Sequence, residues 1–128
     1  MPTTASIPRA LLFDAAGTLV DLAEPVGTVY ARHFAAAGFP CASEVVDDAF
    51  RRFFETSAEP AFASAGSGED AEHTWWRDLV ASVFRHSHPQ DGAFLDSPGF
   101  ADLFSALFAH YADPGAWTVF ADVLPTLE

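Results

Sequence analysis

Apolar residues recur at helical spacing in four segments of the chain. Pro25 precedes the first segment, and Gly38 follows it as a residue that commonly ends helices. Ser43 begins the second segment, the third begins near Glu69, and a turn at residues 113–115 ends the fourth. The spacing predicts four amphipathic helices. Their stripes comprise Val26, Val29, Tyr30, His33 and Phe34; Val45, Val46, Ala49, Phe50, Phe53 and Phe54; Trp75, Trp76, Leu79, Val80, Val83 and Phe84; and Phe100, Leu103, Phe104, Leu107, Phe108 and Tyr111.

The segment before these helices has a different pattern. An apolar run at residues 11–13 ends at Asp14, and Gly17 and Thr18 follow almost at once. A short apolar run closed by a glycine turn predicts a buried strand. Because α/β proteins carry their reactive groups just past the C-terminal ends of strands, we expect Asp14 at the mouth of a site.

A single strand needs neighbours, because its backbone N–H and C=O groups require partners. Residues 119–128 have the pattern of the start of another element and end without a stop signal. We therefore expect the chain to be part of a larger α/β fold, with its strand packed on the helices or paired with a second copy. Residues 59–68 and 87–98 are predicted loops, the first with room for a helical turn at residues 61–63.

Composition and charge limit the function classes. The chain has 128 residues, half of them hydrophobic and 13 of them Phe, which predicts one packed domain or part of a larger one. A net charge of −12 disfavours nucleic acid and anionic membranes as partners, and no apolar stretch is long enough to cross a bilayer. The single cysteine, Cys41, excludes an intrachain disulfide and suits a reducing compartment, so we expect a cytoplasmic location.

Residues 13–19, which read Phe-Asp-x-x-Gly-Thr-Leu, resemble the first motif of the haloacid dehalogenase-like (HAD) hydrolase superfamily. Residues 25–31, the Trp75-Trp76 pair and residues 117–123 are similar to the helical cap of one of its subgroups. The resemblance runs from about Ala10 onward. It implies an α/β fold in which a Rossmann-like fragment contributes one core strand and a cap of about four helices follows. The implied domains are the start of the core at residues 1–22, the cap at 23–115 and a return toward the core at 116–128.

The same resemblance implies a chemistry for the Asp14 turn. In the family the first Asp is the nucleophile, so Asp14 would form a covalent aspartyl intermediate with a small phosphorylated or similar substrate. The Asp14 carboxylate and the Ala16 backbone carbonyl would be ligands of Mg²⁺. Gly17 and Thr18 would hold the phosphoryl group. The function implied is that of a Mg²⁺-dependent, phosphatase-type hydrolase.

Two departures from the family pattern leave the activity of this chain open. Phosphatases of the family usually carry a second Asp two residues after the nucleophile, where this chain has Ala16, whose methyl group cannot transfer a proton. The family's later Ser/Thr, Lys and acidic pair would lie beyond residue 128. We therefore expect a chain cut after its cap that is inactive alone and binds Mg²⁺ weakly or not at all. The alternative is a non-catalytic helical module that self-associates through exposed aromatic surface.

Other candidate residues have structural interpretations. The five histidines show no metal-ligand spacing and are interpreted as exposed residues of loops and helix ends. The Trp75-Trp76 pair could line a substrate pocket, but core packing on a helix stripe is the favoured interpretation. The acidic pairs Asp47-Asp48 and Glu69-Asp70 lie near helix starts, where they would complement the helix dipole before they would bind a metal.

Overall fold

Helices dominate the chain, and all four predicted helices form. The computed structural model describes residues 7–60 and 68–128, so the helical turn predicted at residues 61–63 lies outside the described residues. The helices are α1 (Val26–Ala36), α2 (Ser43–Thr56), α3 (Gly68–Ser87), α4 (Pro98–Ala112) and α5 (Val123–Leu127). Two short strands, β1 (Val20–Leu22) and β2 (Trp117–Val119), and two 3₁₀ turns, Gly92–Asp96 and Pro114–Ala116, complete the described elements. None of these helices combines the length and the apolar character needed to cross a membrane.

Gly38 ends α1 as predicted. Its φ of +95° lies in the left-handed region that favours glycine. The Gly38 N–H donates to the Ala35 carbonyl at 3.0 Å, and the Phe39 N–H donates to the Phe34 carbonyl at 2.9 Å. This pair of hydrogen bonds is a Schellman motif, which satisfies carbonyls that the helix end would otherwise leave without partners.

The start of α1 is held by a side chain from α2. The Gly27 N–H donates to Asp47 Oδ1 at 3.0 Å, and Asp47 Oδ2 pairs with the Arg51 guanidinium at 3.0 Å. Asp47 was expected to complement the dipole of its own helix, but its carboxylate caps a different one. This contact links the start of α1 to α2.

The core consists of the inward faces of the four predicted helices. Its largest fully buried side chains include Phe34, Phe84 and Phe100. The rings of Phe34 and Phe84 meet edge to face with centroids 5.2 Å apart, a favoured arrangement for aromatic pairs. The predicted stripes therefore supply most of the buried cluster, with Ala31 added from α1 and Leu95 from the 3₁₀ turn inside the second predicted loop.

The strand predicted at residues 11–13 is wrong. Those residues belong to no helix or strand, and the side chains of Leu11, Leu12 and Phe13 are 69%, 98% and 49% exposed. The sheet is instead an antiparallel ribbon in which Val20 of β1 lies opposite Val119 of β2. Because no described strand runs beside residues 11–13, their backbone groups have no ladder to join. The helices and this ribbon are compatible with a fragment of an α/β domain.

His88 also departs from its predicted exposure. The residue is 8% exposed, and its ring stacks on that of Phe84 with centroids 4.7 Å apart. Its Nδ1 lies 3.0 Å from the Ser87 hydroxyl, whereas its Nε2 is buried without a hydrogen-bond partner among the described residues. Packing against aromatic rings buries a histidine that its loop position had suggested was exposed.

Candidate functional site

The turn that Gly17 and Thr18 predict after Asp14 is present in the structure. Gly17 has a φ of +78°, and its N–H donates to the Val20 carbonyl at 2.7 Å. In return, the N–H groups of Leu19 and Val20 both donate to the Ala15 carbonyl, at 2.8 and 3.1 Å. These bonds close residues 15–20 into a tight loop that leads directly into β1.

This turn gathers the four residues that the resemblance singled out. Asp14, Ala16, Gly17 and Thr18 are all exposed. Oδ1 of Asp14 accepts a hydrogen bond from the Ala15 N–H at 3.0 Å, which orients the carboxylate. Of the four residues, Ala16 lines a cavity between the turn and the helices. The solvent-accessible carboxylate of Asp14 therefore lies two residues before a residue that lines a partly open cavity.

The residues of the turn do not form a complete Mg²⁺ site. A hard dication of this kind takes about six oxygen ligands in near-octahedral geometry. The Asp14 carboxylate and the Ala16 carbonyl could supply only part of that set. Within residues 7–60 and 68–128, no three His, Cys, Asp or Glu side chains come together as a metal site. The ion that the resemblance implies therefore does not fit the described residues by themselves.

The cavity has a volume of about 520 Å³ and lies between the Asp14 turn, β1 and helices α1 to α4. Eight of its sixteen lining residues are aromatic, among them Tyr30, Trp76 and Tyr111. Two carboxylates, those of Asp21 and Glu72, also line it, and no arginine is among the described lining residues. It is therefore an apolar space whose few charged groups are negative.

Two tyrosines, Tyr30 and Tyr111, are among the residues that line the cavity. The rings of Tyr30 and Tyr111 have centroids 6.4 Å apart. Burial raises the pKa of Tyr111 to about 12 and also raises the pKa of Tyr30. The Tyr111 hydroxyl is buried and has no hydrogen-bond partner among the described residues. Near neutral pH both phenols therefore stay protonated.

The raised tyrosine pKa values predict that the protein loses stability in alkali. An unfolded tyrosine ionises near pH 10, whereas folded Tyr111 keeps its proton to about pH 12, so the free energy of unfolding falls as pH rises above about 10. All six basic residues are arginine, so no lysine titrates in this range. Urea unfolding between pH 8 and 11 measures the slope.

The experiment is best done with a Cys41→Ala variant. Burial also raises the pKa of the Cys41 thiol, and the substitution removes its contribution to the pH dependence. In that background, Tyr111→Phe is expected to flatten the decline in stability. An unchanged slope in the Tyr111→Phe variant would show that burial of this phenol does not govern the alkaline response.

No family model matches the sequence. Haloacid dehalogenase-like hydrolase domain-containing protein 3 of Danio rerio is 30% identical over 122 residues, which are 94% of this chain and 48% of that protein. The protein of the same name from Mus musculus is 26% identical over 121 residues, 94% of this chain and 46% of that protein. The chain resembles the HAD-like hydrolases. It spans about half the length of the curated relatives that it matches.

The HAD-like resemblance expected from the sequence is thus confirmed, and it covers nearly all of this chain. The mostly helical structure with its two-stranded ribbon is compatible with a fragment of a HAD-like α/β domain.

Apart from the Trp75-Trp76 pair, the residues of the cavity wall were not identified from the sequence. Tyr30, Phe50 and Tyr111 were assigned to core stripes, and Trp117 was noted only within the cap pattern. Trp76, for which core packing was favoured, packs against the core and also lines the cavity. One signal was present in the sequence: two tyrosines lie within mostly apolar stripes, and a buried hydroxyl needs a partner.

Proposed function

We propose that the protein carrying this sequence is a HAD-like hydrolase in which the Asp14 carboxylate is the nucleophile. The observation that carries the proposal is the position of Asp14, which is exposed and directly precedes a tight turn whose Ala16 lines a partly open cavity. The similarity to two proteins named as HAD-like hydrolases supports the same assignment.

The reaction proposed is phosphoryl transfer to Asp14 followed by hydrolysis. A carboxylate oxygen of Asp14 attacks phosphorus, the bond from phosphorus to the leaving oxygen breaks, and an acyl phosphate forms. Water then attacks that phosphorus, which releases inorganic phosphate and regenerates the carboxylate. The Thr18 hydroxyl is proposed to hold a phosphoryl oxygen during transfer. The Gly17 N–H, which already donates to the Val20 carbonyl, is not available for this role in the observed geometry.

Ala16 restricts the substrates that such a site can use. The residue has no proton to give, so no side chain at this position protonates the departing oxygen. A substrate whose leaving group is stable as an anion needs less help than an alkyl phosphate. The proposed hydrolase is therefore expected to prefer phosphate esters of acidic alcohols, such as phenols.

Charge is the main obstacle to this reaction. The chain has a net charge of −12, and the carboxylates of Asp21 and Glu72 line the adjoining cavity, so a phosphate dianion is repelled. A divalent cation would supply the charge neutralisation that phosphoryl transfer requires. We propose Mg²⁺ for this role, with ligands beyond those that the described residues provide.

Release of phosphate from p-nitrophenyl phosphate tests the proposal. The protein expressed from its own gene is expected to release phosphate when Mg²⁺ is present and to stop when the ion is chelated with EDTA. No release with Mg²⁺, combined with reversible self-association in sedimentation experiments, would instead favour the non-catalytic interaction module. That alternative is motivated by the exposed apolar side chains of Leu11, Leu12 and Phe13.

A further inference from the structure

Two histidines from different helices meet where α1 and α4 pack against each other. The rings of His33 in α1 and His110 in the last turn of α4 have centroids 5.9 Å apart and cross at 71°. Both residues are partly buried, and neither lines the cavity. Because the two residues lie far apart in the sequence, no local spacing could reveal this histidine pair.

The hydrogen bonding of His33 determines which of its ring nitrogens is open. Its Nδ1 lies 2.9 Å from the Val29 carbonyl oxygen, one turn earlier in α1. A carbonyl oxygen can only accept, so Nδ1 carries the proton and Nε2 of the neutral ring carries the lone pair. Metal-binding histidines are commonly held in this way, with one nitrogen donating to a backbone carbonyl and the other binding the metal. The helix itself therefore orients His33 as a ligand.

The open nitrogens of the histidine pair can be reached from solvent. Within the described residues, no hydrogen bond involves Nε2 of His33 or either ring nitrogen of His110. The buried polar side-chain atoms without a partner in this part of the chain are Nε2 of His88 and the Tyr111 hydroxyl, so the nitrogens of the pair retain contact with solvent. An ion can therefore approach His33 and His110 without any rearrangement of the core.

The separation of the two rings suits a shared Zn²⁺. Zn–N bonds are about 2.0–2.1 Å long, so two imidazoles bound to one tetrahedral ion have ring centres about 5 Å apart. The observed 5.9 Å is close to that value, and small side-chain rotations would cover the difference. No third His, Cys, Asp or Glu side chain joins the pair within residues 7–60 and 68–128, so water would complete the coordination.

A carboxylate lies beside the histidine pair. The pKa of Glu24 is lowered chiefly by its hydrogen bond with Arg32, and the charge of His110 adds to the effect. Glu24 holds Arg32 by two hydrogen bonds of 2.9 and 3.0 Å, so the charges of these two side chains largely cancel. The net charge of −12 of the whole chain then favours a cation at the pair.

We propose that His33 and His110 form a two-histidine site for Zn²⁺ that joins α1 to α4. Imidazole nitrogens suit Zn²⁺, whereas Mg²⁺ takes oxygen ligands. A metal bound only by the folded chain stabilises it, so zinc would strengthen the packing of these two helices. The site is separate from the Asp14 turn in position and in metal, and the inference does not rest on the proposed function.

Isothermal titration calorimetry with Zn²⁺ near neutral pH tests the site, with excess Mg²⁺ present to occupy oxygen ligands. One zinc ion is expected to bind per chain, and His33→Gln and His110→Gln are each expected to weaken that binding at least about tenfold. His86→Gln is the matched control, because it removes an exposed histidine from the last turn of α3 and is expected to leave zinc binding unchanged.

Thermal unfolding provides a second measurement. Zinc at about 100 times its dissociation constant is expected to raise the midpoint of the wild type and of His86→Gln by at least about 5 °C. The same zinc concentration is expected to leave His33→Gln and His110→Gln nearly unchanged. The comparison is the shift that zinc causes within each variant, so a lower starting stability after loss of the hydrogen bond to Val29 does not affect it.

Three outcomes would overturn the inference. Zinc that does not bind to the wild type would show that the two rings only pack against each other. Binding that keeps its wild-type strength in both His33→Gln and His110→Gln would place the ion elsewhere. An equal loss in His86→Gln would show that zinc binds histidines of this chain without preference for the pair.

Discussion

Asp14→Asn is expected to lower phosphate release from p-nitrophenyl phosphate at least about a thousandfold. An amide oxygen is a poor nucleophile and cannot form the acyl phosphate that carries the reaction. The fold is expected to be unaffected, because Asp14 is exposed and the new side-chain oxygen can still accept from the Ala15 N–H. The loss therefore reports chemistry, and thermal unfolding of the same sample confirms that stability is unchanged.

Two further variants complete this experiment. Asp14→Ala guards against slow deamidation of the new amide, which would restore a carboxylate and a false residual rate. Asp96→Asn removes the charge of an exposed aspartate in the 3₁₀ turn before α4 and is expected to leave the rate unchanged. If phosphate release survives in both Asp14 variants at the wild-type rate, Asp14 is not the nucleophile.

Gly27→Ala is expected to destabilise the protein by about 3 kcal/mol, the largest effect on stability foreseen for a single added methyl group. A Cβ at this position would overlap the Ser43 carbonyl oxygen and would lie 2.5 Å from Asp47 Cβ and 2.8 Å from Asp47 N. Two of these three atoms are backbone atoms at the start of α2, so no side-chain rotation relieves the overlap. The two helices must separate, which also weakens the Gly27–Asp47 hydrogen bond.

Helix propensity acts in the opposite direction but is too small to compensate. Alanine favours a helix interior over glycine by about 1 kcal/mol, which is less than the cost of the overlap. Gly92→Ala is the matched control, because a Cβ there meets no atom within 4 Å, and it is expected to change stability by less than about 0.5 kcal/mol. Urea unfolding of both variants decides the point, and equal stabilities would show that the α1–α2 crossing tolerates a methyl group.

The helices were predictable because each carries its own signal. Apolar stripes at helical spacing, Pro25 before α1 and the Gly38 stop are local features, and the structure places all of them as expected. The contact between Gly27 and Asp47 was not predictable, because it depends on how α1 and α2 cross. The same is true of the aromatic cavity, which exists only where stripes from four helices face one another.

The strands were not predictable from local pattern. Residues 11–13 have a stronger apolar run than β1, yet they remain exposed, and β1 pairs with a segment about a hundred residues away. A strand is defined by its neighbours, so an apolar run alone does not identify one. The turn at Gly17 was correctly predicted because its positive φ requires glycine at one position of a short sequence.

Covalent catalysis by Asp14 is most directly measured by rapid acid quench during turnover of p-nitrophenyl phosphate with Mg²⁺, followed by mass spectrometry of the peptides. Acyl phosphates survive in acid long enough for this measurement. The expected result is a peptide containing Asp14 that is heavier by one phosphoryl group and is absent from the Asp14→Asn variant. Turnover without phosphoryl transfer to Asp14, or with the phosphoryl group on another residue, would contradict the proposed mechanism.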